Sequence, residues 1–359
     1  MEVFNNLRKQ TIIRKKPLLV FTLLLFLATT TQFSLPIQAE TSSLKVHYID
    51  VGQADAILIQ QGTQNMLIDA GNNADDKLVV NYLKKQKVSK IDVLIGTHPD
   101  EDHIGGLDTV IKSFSIGKIY MPKVTKTTDT FKDVVTAIAS KKMKITVPKV
   151  GEKFKIGTSE VTILAPSSET YKEANNYSIV TKLKYGNTNF IFMGDAEAIS
   201  EGEILRKQLD ISADVIKIGH HGSDTSTTSA FLKKVSPKYA VISVGTGNSY
   251  GHPCKPTMDL LKSSKIPVYR TDEAGTIVAT SDGKKIIFDK KVGTYNVDFK
   301  AVVKPVVTTP KTLTVYITKT GKMYHKDGCS SLNKSKIPIS LKDAKIKGYT
   351  PCSKCKPPN

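Results

Sequence analysis

Thr97-His98-Pro99-Asp100-Glu101-Asp102-His103-Ile104-Gly105-Gly106 follows directly on the apolar run Ile91-Asp92-Val93-Leu94-Ile95-Gly96. Two imidazoles and three carboxylates stand within the six residues 98 to 103. That density of metal-binding groups at the end of a buried strand predicts a metal site. His98, Asp100 and Asp102 alternate, so an extended segment leaving the strand would aim them at one point. His103 is expected to turn in from the start of a helix opened by Gly105 and Gly106. In a solvated acidic loop with chance histidines, the remaining histidines would scatter, yet five of the seven fall in three short glycine-flanked clusters.

The other two clusters are Gly219-His220-His221-Gly222-Ser223 and Tyr250-Gly251-His252-Pro253, each after an apolar run (215–218 and 240–244). A further strand end, Phe190-Ile191-Phe192-Met193-Gly194-Asp195, supplies a carboxylate where glycine lets the backbone approach closely.

Together with Ile49-Asp50-Val51-Gly52-Gln53-Ala54-Asp55-Ala56 upstream, these motifs resemble the metallo-β-lactamase fold hydrolases over residues 44–289. The branch they look most like forms the hydrolase domain of the competence DNA-uptake channel protein. The resemblance implies an α/β fold of the αββα type, a four-layer sandwich, with two divalent metal ions, zinc or manganese, sharing a water that becomes the hydroxide nucleophile. By motif position, His98 and Asp100 would hold one metal, Asp102 and His103 the other, and Asp195 would bridge them. His221 looks like the late histidine ligand, with His220 as the neighbour that could take its place. Asp102 and His252 are expected to carry catalysis, His252 either as a further ligand or as a general acid, unless it is a plain turn residue.

Two departures from the zinc lactamase pattern bear on the chemistry. Asp100 stands where the second histidine of a His-x-His pair usually sits, and no histidine lies between His103 and Asp195, where Asn175-Asn176-Tyr177-Ser178 occupies the mid-chain place. A more oxygen-rich set moves preference from zinc towards manganese or magnesium, and those harder cations suit phosphate oxygens. Asp50 and Asp69 close strands beside Gly52 and Gly71 and are expected to orient ligands or to satisfy loop amides. Asn176 and the hydroxyl-rich stretch beginning at Ser223 are candidates for substrate contact, and Ser223 equally for capping a helix. Asp55 reads as a turn residue and His47 as structural.

Short β-branched runs alternate with helical patterns. Strands are expected at 46–50, 56–60 and 66–69 as an antiparallel meander, at 118–121, at 178–185 and 188–193 as a hairpin turning on Gly186-Asn187, and at 214–218, 239–244 and on to 289. Helices are expected at 77–86, 106–114, 131–142, 229–235 and 257–264. Residues 1–39 read as a signal peptide: basic residues Arg8 to Lys16, an apolar run at 18–28 and Ile37-Gln38-Ala39 before the cut. That run falls short of the roughly 20 residues of a spanning helix, and no second one follows, so the mature chain is expected to be soluble and secreted. The hydrolase domain would take residues 40–295, an extended proline-containing linker 296–312, and a small module 313–359.

The module carries His325-Lys326-Asp327-Gly328-Cys329 and Cys352-Ser353-Lys354-Cys355, four soft donors in a segment too small for a core of its own. That inventory suits one structural zinc, with a disulfide as the alternative in an exported chain. The segment resembles the small Ada-like metal-binding modules appended to exported bacterial enzymes. The formal charge of +19 is uneven: residues 296–359 hold thirteen lysines against three aspartates, so attraction to polyanions is concentrated there. The expected function is a secreted phosphodiesterase or nuclease acting on DNA or RNA. The alternatives are a phosphoesterase of teichoic acid or phosphocholine type anchored to the anionic cell wall by the basic tail, and a non-catalytic wall-binding protein.

Overall fold

The computed structural model describes residues 42–297 and 314–358; the signal segment expected at 1–39, and the expected linker from 298 onward, lie outside them. Strands β1 (Leu44–Tyr48), β2 (Ile57–Gln61) and β3 (Gln64–Ile68) form the expected antiparallel meander. Helix α1 (Asp76–Lys85), β4 (Lys90–Ile95), α2 (Glu101–Ile104), α3 (Leu107–Ser113), β5 (Ser115–Tyr120), α4 (Asp129–Ser140) and β6 (Ile145–Thr146) follow. A hairpin, β7 (Lys153–Ile156) and β8 (Ser159–Ile163), has no counterpart in the sequence expectations, because its polar residues hide the alternation. The second expected hairpin is present as β9 (Thr181–Tyr185) and β10 (Thr188–Phe192). Then come α5 (Ala198–Arg206), β11 (Val215–Lys217), α6 (Ser229–Val235), β12 (Tyr239–Ile242), α7 (Lys255–Ser263), β13 (Val268–Arg270), α8 (Thr271–Ala274), β14 (Ile277–Ser281) and β15 (Ile286–Phe288).

These strands make an eight-stranded sheet, β15-β14-β1-β2-β3-β4-β5-β6, and a seven-stranded sheet, β13-β12-β11-β10-β9-β8-β7. Alternation along each strand divides its side chains between two layers. On β10, Phe190 and Phe192 enter the cluster shared by both sheets, whereas Ile191 and Met193 lie under the helices outside. Helices α1, α3 and α4 cover the first sheet through Leu83, Val110 and Val134, and α5, α6 and α7 cover the second through Ile204, Phe231 and Leu261. The result is the four-layer sandwich that the resemblance implies.

Parallel pairing places the site. β3 and β4 run parallel in one sheet, and β10, β11 and β12 run parallel in the other, so the segments that follow them emerge along common edges. A backbone bond joins the two sheets there, Ile179 N donating to Thr97 O at 3.0 Å, and within the second sheet His220 N donates to Gly194 O at 3.1 Å, linking the ends of β11 and β10.

One expectation needs correction. Asp102 and His103 both lie on the helical turn α2, ahead of the two glycines, and only Asp100, at its N-cap, is extended (φ −85, ψ 150). The cause is backbone pairing: Gly105 N donates to Glu101 O at 2.8 Å within the turn, Asp55 N donates to Asp102 O at 3.1 Å from the loop after β1, and Ala70 N donates to His103 O at 2.8 Å from the loop after β3. Gly105 matters through contact rather than flexibility: a Cβ there would sit 2.2 Å from the backbone of Asn72 and Asn73.

The C-terminal residues form a separate four-stranded sheet. Its strands are β16 (Thr314–Ile317), β17 (Met323–His325), β18 (Ile337–Ser340) and β19 (Thr350–Pro351), in the order β18-β16-β17-β19, with α9 (Leu341–Ile346) beside β16 and β18. Its apolar core is small, with Val315, Tyr324 and Ala344 at the centre. Among the described residues, no helix is long and apolar enough to cross a membrane.

Gly105→Ala should destabilise the protein by about 1–3 kcal/mol, the usual cost of forcing a methyl into a filled space. A urea midpoint equal to that of the wild type would show that α2 can move away from the Asn72 loop without loss.

Candidate active site

The site grows from the ends of β3 and β4. Asp69, in left-handed conformation (φ 58) and fully buried, accepts hydrogen bonds from Thr97 N at 2.8 Å and Thr97 Oγ1 at 2.7 Å. Its second contact is His103 Nδ1 at 2.8 Å, which fixes that ring so that Nε2 faces Asp195 Oδ1 at 3.2 Å. Burial alone would push His103 down, but Asp195, Asp102 and Asp69 together hold it well above the ordinary imidazole range.

Asp195 follows Gly194, which adopts φ +53 with Ser178 Oγ only 3.1 Å from where a Cβ would be. Ser178 Oγ accepts the Asp195 amide at 3.0 Å and lies 3.3 Å from His98 Nδ1. The mid-chain stretch that holds no histidine thus contributes a hydroxyl that braces two other site residues. Burial opposes ionisation of Asp195, yet His103 and His221 hold it well below the usual carboxylate range. Asp102 is likewise pulled to about 2, against burial, by His103 and His221. His98 is pushed down to about 4 by burial and then by His103.

The histidine pair after β11 occupies unusual backbone. His220 (φ 49, ψ 46) and His221 (φ 52, ψ 24) are both left-handed, a conformation that costs an ordinary residue roughly 1–2 kcal/mol. His221 is buried, with Nδ1 2.9 Å from Ser243 O and Nε2 3.3 Å from Asp102 Oδ2 and 3.6 Å from Asp195 Oδ2. His220 is less buried; its Nε2 lies 3.8 Å from Asp195 Oδ2 and its Nδ1 3.0 Å from Thr225 Oγ1. Both therefore reach the same carboxylate, and His221 is the one enclosed by two.

Ligand atoms of Asp102, His103, Asp195 and His221 all lie within 4.8 Å of one another. His98 joins them, its ring centroid 4.1 Å from that of His103, with Asp100 Oδ2 3.8 Å from His98 Nε2. The group fits divalent cations on a physical observation: His98 Nε2 is buried without a hydrogen-bond partner, and His103 Nε2 and Asp195 Oδ1 face only each other, with no formed hydrogen bond. Orphaned polar atoms of this kind are costly unless something of opposite character meets them. The floor opens into a cavity of about 180 Å³ lined by Gln53, Asp100, Asn175, His220, Tyr250 and His252, among others.

Several residues singled out in the sequence sit elsewhere or do other work. Asp50 accepts the Gly52 amide at 3.2 Å and does not line the cavity, so it satisfies a loop. Asn176 is buried and braces the Asp195 loop through Glu197 (2.8 Å) and the Ser200 amide, while its neighbour Asn175 is the one that lines the cavity. Ser223 Oγ pairs with Thr225 inside its own loop. His252 reaches Gln53 Nε2 at 3.4 Å, and burial followed by the charges of His220 and His221 pushes it down to about 4. A neutral imidazole is the form that ligates a cation, and His252 lines the same cavity as His220 and His221.

Asp55 is no turn residue. It is buried, with Lys217 Nζ at 2.7 Å from Oδ2 and His221 Nδ1 at 3.5 Å from Oδ1. The pattern of β11 carried a signal for this pair: Lys217 falls at an inward position of a buried strand, where a charge needs a partner.

In the C-terminal sheet, donor atoms of His325, Cys329, Cys352 and Cys355 also lie within 4.8 Å of one another. All four cysteines of the chain are free in the structure, and three of them belong to this cluster. The Ser331 backbone amide holds the Cys329 thiol down at about 6.

A cation that takes His103 as a ligand must displace the proton that the surrounding carboxylates hold there. Metal binding near neutral pH should therefore release about one proton or more and should weaken as pH falls. Titration calorimetry in buffers of different ionisation enthalpy would read this; heats independent of buffer would count against it.

Comparison with known proteins matches residues 49–246, more than half of the chain, to the metallo-beta-lactamase superfamily model. The chain is 30% identical over 275 residues to ComE operon protein 3 of Bacillus subtilis, covering 72% of this chain and 34% of the relative. It is 29% identical over 265 residues to Recombination protein 2 of Haemophilus influenzae (72% and 30% covered) and 28% identical over 230 residues to Competence protein ComA of Neisseria gonorrhoeae (64% and 31%). The chain thus spans about a third of the length of these curated relatives. With the sandwich, the strand-end ligands and this match agreeing, the chain belongs to the metallo-beta-lactamase superfamily, in the part of it related to the competence proteins.

Proposed function

We propose that this protein is an exported, metal-dependent phosphodiesterase that cleaves nucleic acid. The observation that supports it most is the meeting of Asp102, His103, Asp195 and His221 on the floor of an open cavity, with Asp100 in place of a further histidine. Carboxylate-rich donor sets favour the harder divalent cations, and those bind phosphate oxygens well. The names of the relatives, a recombination protein and a competence protein, point the same way. Export rests on the composition of residues 1–39, and the lysine-rich C-terminal residues would then meet polyanions outside the cell.

Two divalent cations, zinc or manganese, would be held by His98 and Asp100 on one side and by Asp102, His103 and His221 on the other, with Asp195 between. When bound, such ions polarise phosphoryl oxygens and bring the pKa of water towards neutrality. The chain's own residues do the rest. Asp69 holds the His103 ring and Ser243 O the His221 ring, so both present Nε2 to the floor. The Gln53 and Asn175 amides line the cavity, where their N–H groups can donate to the non-bridging oxygens of a phosphodiester. His252, beside Gln53 on the cavity wall, would serve as a further ligand or deliver a proton to the leaving oxygen.

For the C-terminal cluster we propose one structural zinc, because three thiols and an imidazole make a closed soft site. Cys352→Ser should remove one zinc per chain in elemental analysis, whereas Asp102→Ala should leave that zinc in place. Retention of full metal content by Cys352→Ser would refute the assignment.

The purified protein with Mn²⁺ or Zn²⁺ should degrade plasmid DNA, and Asp102→Ala should lower the rate at least about a hundred-fold, since even residues behind a ligand are worth 10- to 100-fold. Intact DNA alongside rapid cleavage of a small phosphodiester would redirect the assignment to wall or lipid phosphoesters.

A further inference from the structure

We infer that Tyr250 is a stacking platform for an unpaired nucleobase, so that the substrate enters as a single strand with a base lying outside the catalytic cavity. This rests on the phosphodiesterase reading above and adds to it the form of nucleic acid taken. Three observations carry it.

The cavity is about 180 Å³, below the roughly 300 Å³ at which pockets begin to enclose a drug-sized ligand. It has room for a phosphodiester group and its immediate neighbours, so the bases of a bound strand must rest on the rim. Tyr250 lines that rim and is 70% exposed, the highest value for a large apolar side chain and the one exposed Phe or Tyr among the described residues.

The backbone that carries the ring is also held in place. Asn248 Oδ1 accepts the backbone amides of both Tyr250 and His252 at 3.1 Å, and Asn248 Nδ2 donates to His252 O at 2.6 Å, which ties the Gly251 turn into one conformation. An aromatic side chain on a tied turn has only its own two torsions left to lose when a base lies on it.

Finally, the rings are ordered from solvent to floor. Tyr250 and His252 are stacked at 5.9 Å and 25°, and His252 and His221 at 6.5 Å and 22°. One face of Tyr250 is thus backed by His252. The remaining face looks away from the histidines and is free to take a base, which stacks on it whatever its identity. In a duplex that base would already be occupied by its neighbours, so an unpaired segment is preferred.

The test compares kcat/KM for a single-stranded oligonucleotide and for an abasic strand of the same length, which keeps every phosphodiester and removes the stacking partner. In the wild-type protein the ratio of the two should be about ten or more, the order that a stacked base contributes. Tyr250→Phe should keep the ratio, and Tyr250→Ala should bring it close to one, mainly through KM. A ratio that Tyr250→Ala leaves at the wild-type value, or a wild-type ratio of one, overturns the platform while leaving the phosphodiesterase reading intact. Failure of the wild-type protein to cleave either strand removes both.

Discussion

Four carboxylates, Asp55, Asp69, Asp102 and Asp195, are packed into one end of the sandwich, three of them almost wholly out of water. Negative charge held in this way is expensive unless positive charge or donors meet it. Each carboxylate has its answer: Lys217 for Asp55, Thr97 and His103 for Asp69, and His103 and His221 for Asp102 and Asp195. Breaking one member of a buried pair leaves an uncompensated charge, which costs roughly 3–5 kcal/mol in comparable cases. The ligand side chains are therefore held by the same interactions that keep the interior electrically balanced.

The fold makes this possible because its two sheets end their parallel strands together. Ligands reach the site from the turn after β4, the end of β10 and the end of β11, and none of these segments is long enough to wander. Thr97 and Ser178 act as the pins between sheets, each touching His98 and one carboxylate-bearing segment. What is left facing outward is a small polar mouth, and its shape follows from the loop that Asn248 ties.

Much of this was legible in the chain. Apolar runs ending in glycine and histidine located the strand ends, and local alternation placed β1, β2, β3, β9 and β10 within a few residues. Chemistry at the floor was readable for the same reason: His98, Asp102, His103, Asp195 and His221 stand next to strong strand signals. What escaped was long-range. The β7–β8 hairpin alternates charge with apolar side chains, so it resembles a loop. Asp55 looks like a turn residue until Lys217, 162 positions away, is brought to it. Asn175 and Asn176 differ by one place, and only the geometry of the 3₁₀ turn (Ala174–Tyr177) decides which faces the cavity. The burial of His252, which pushes its ring down to about 4, likewise has no local signature.

The left-handed pair His220 and His221 has a consequence for how such an enzyme would age under selection. Two successive side-chain-bearing residues in that conformation act as a loaded spring, which the rest of the molecule keeps compressed. Glycine would relax the strain at either position, but at 221 it would also strip Asp102 and Asp195 of a partner, a loss larger than the relief, so the carboxylates lock that imidazole in its strained place. Durability and the site thus depend on one and the same side chain at 221, and only the more exposed His220 is held at a net cost to the backbone.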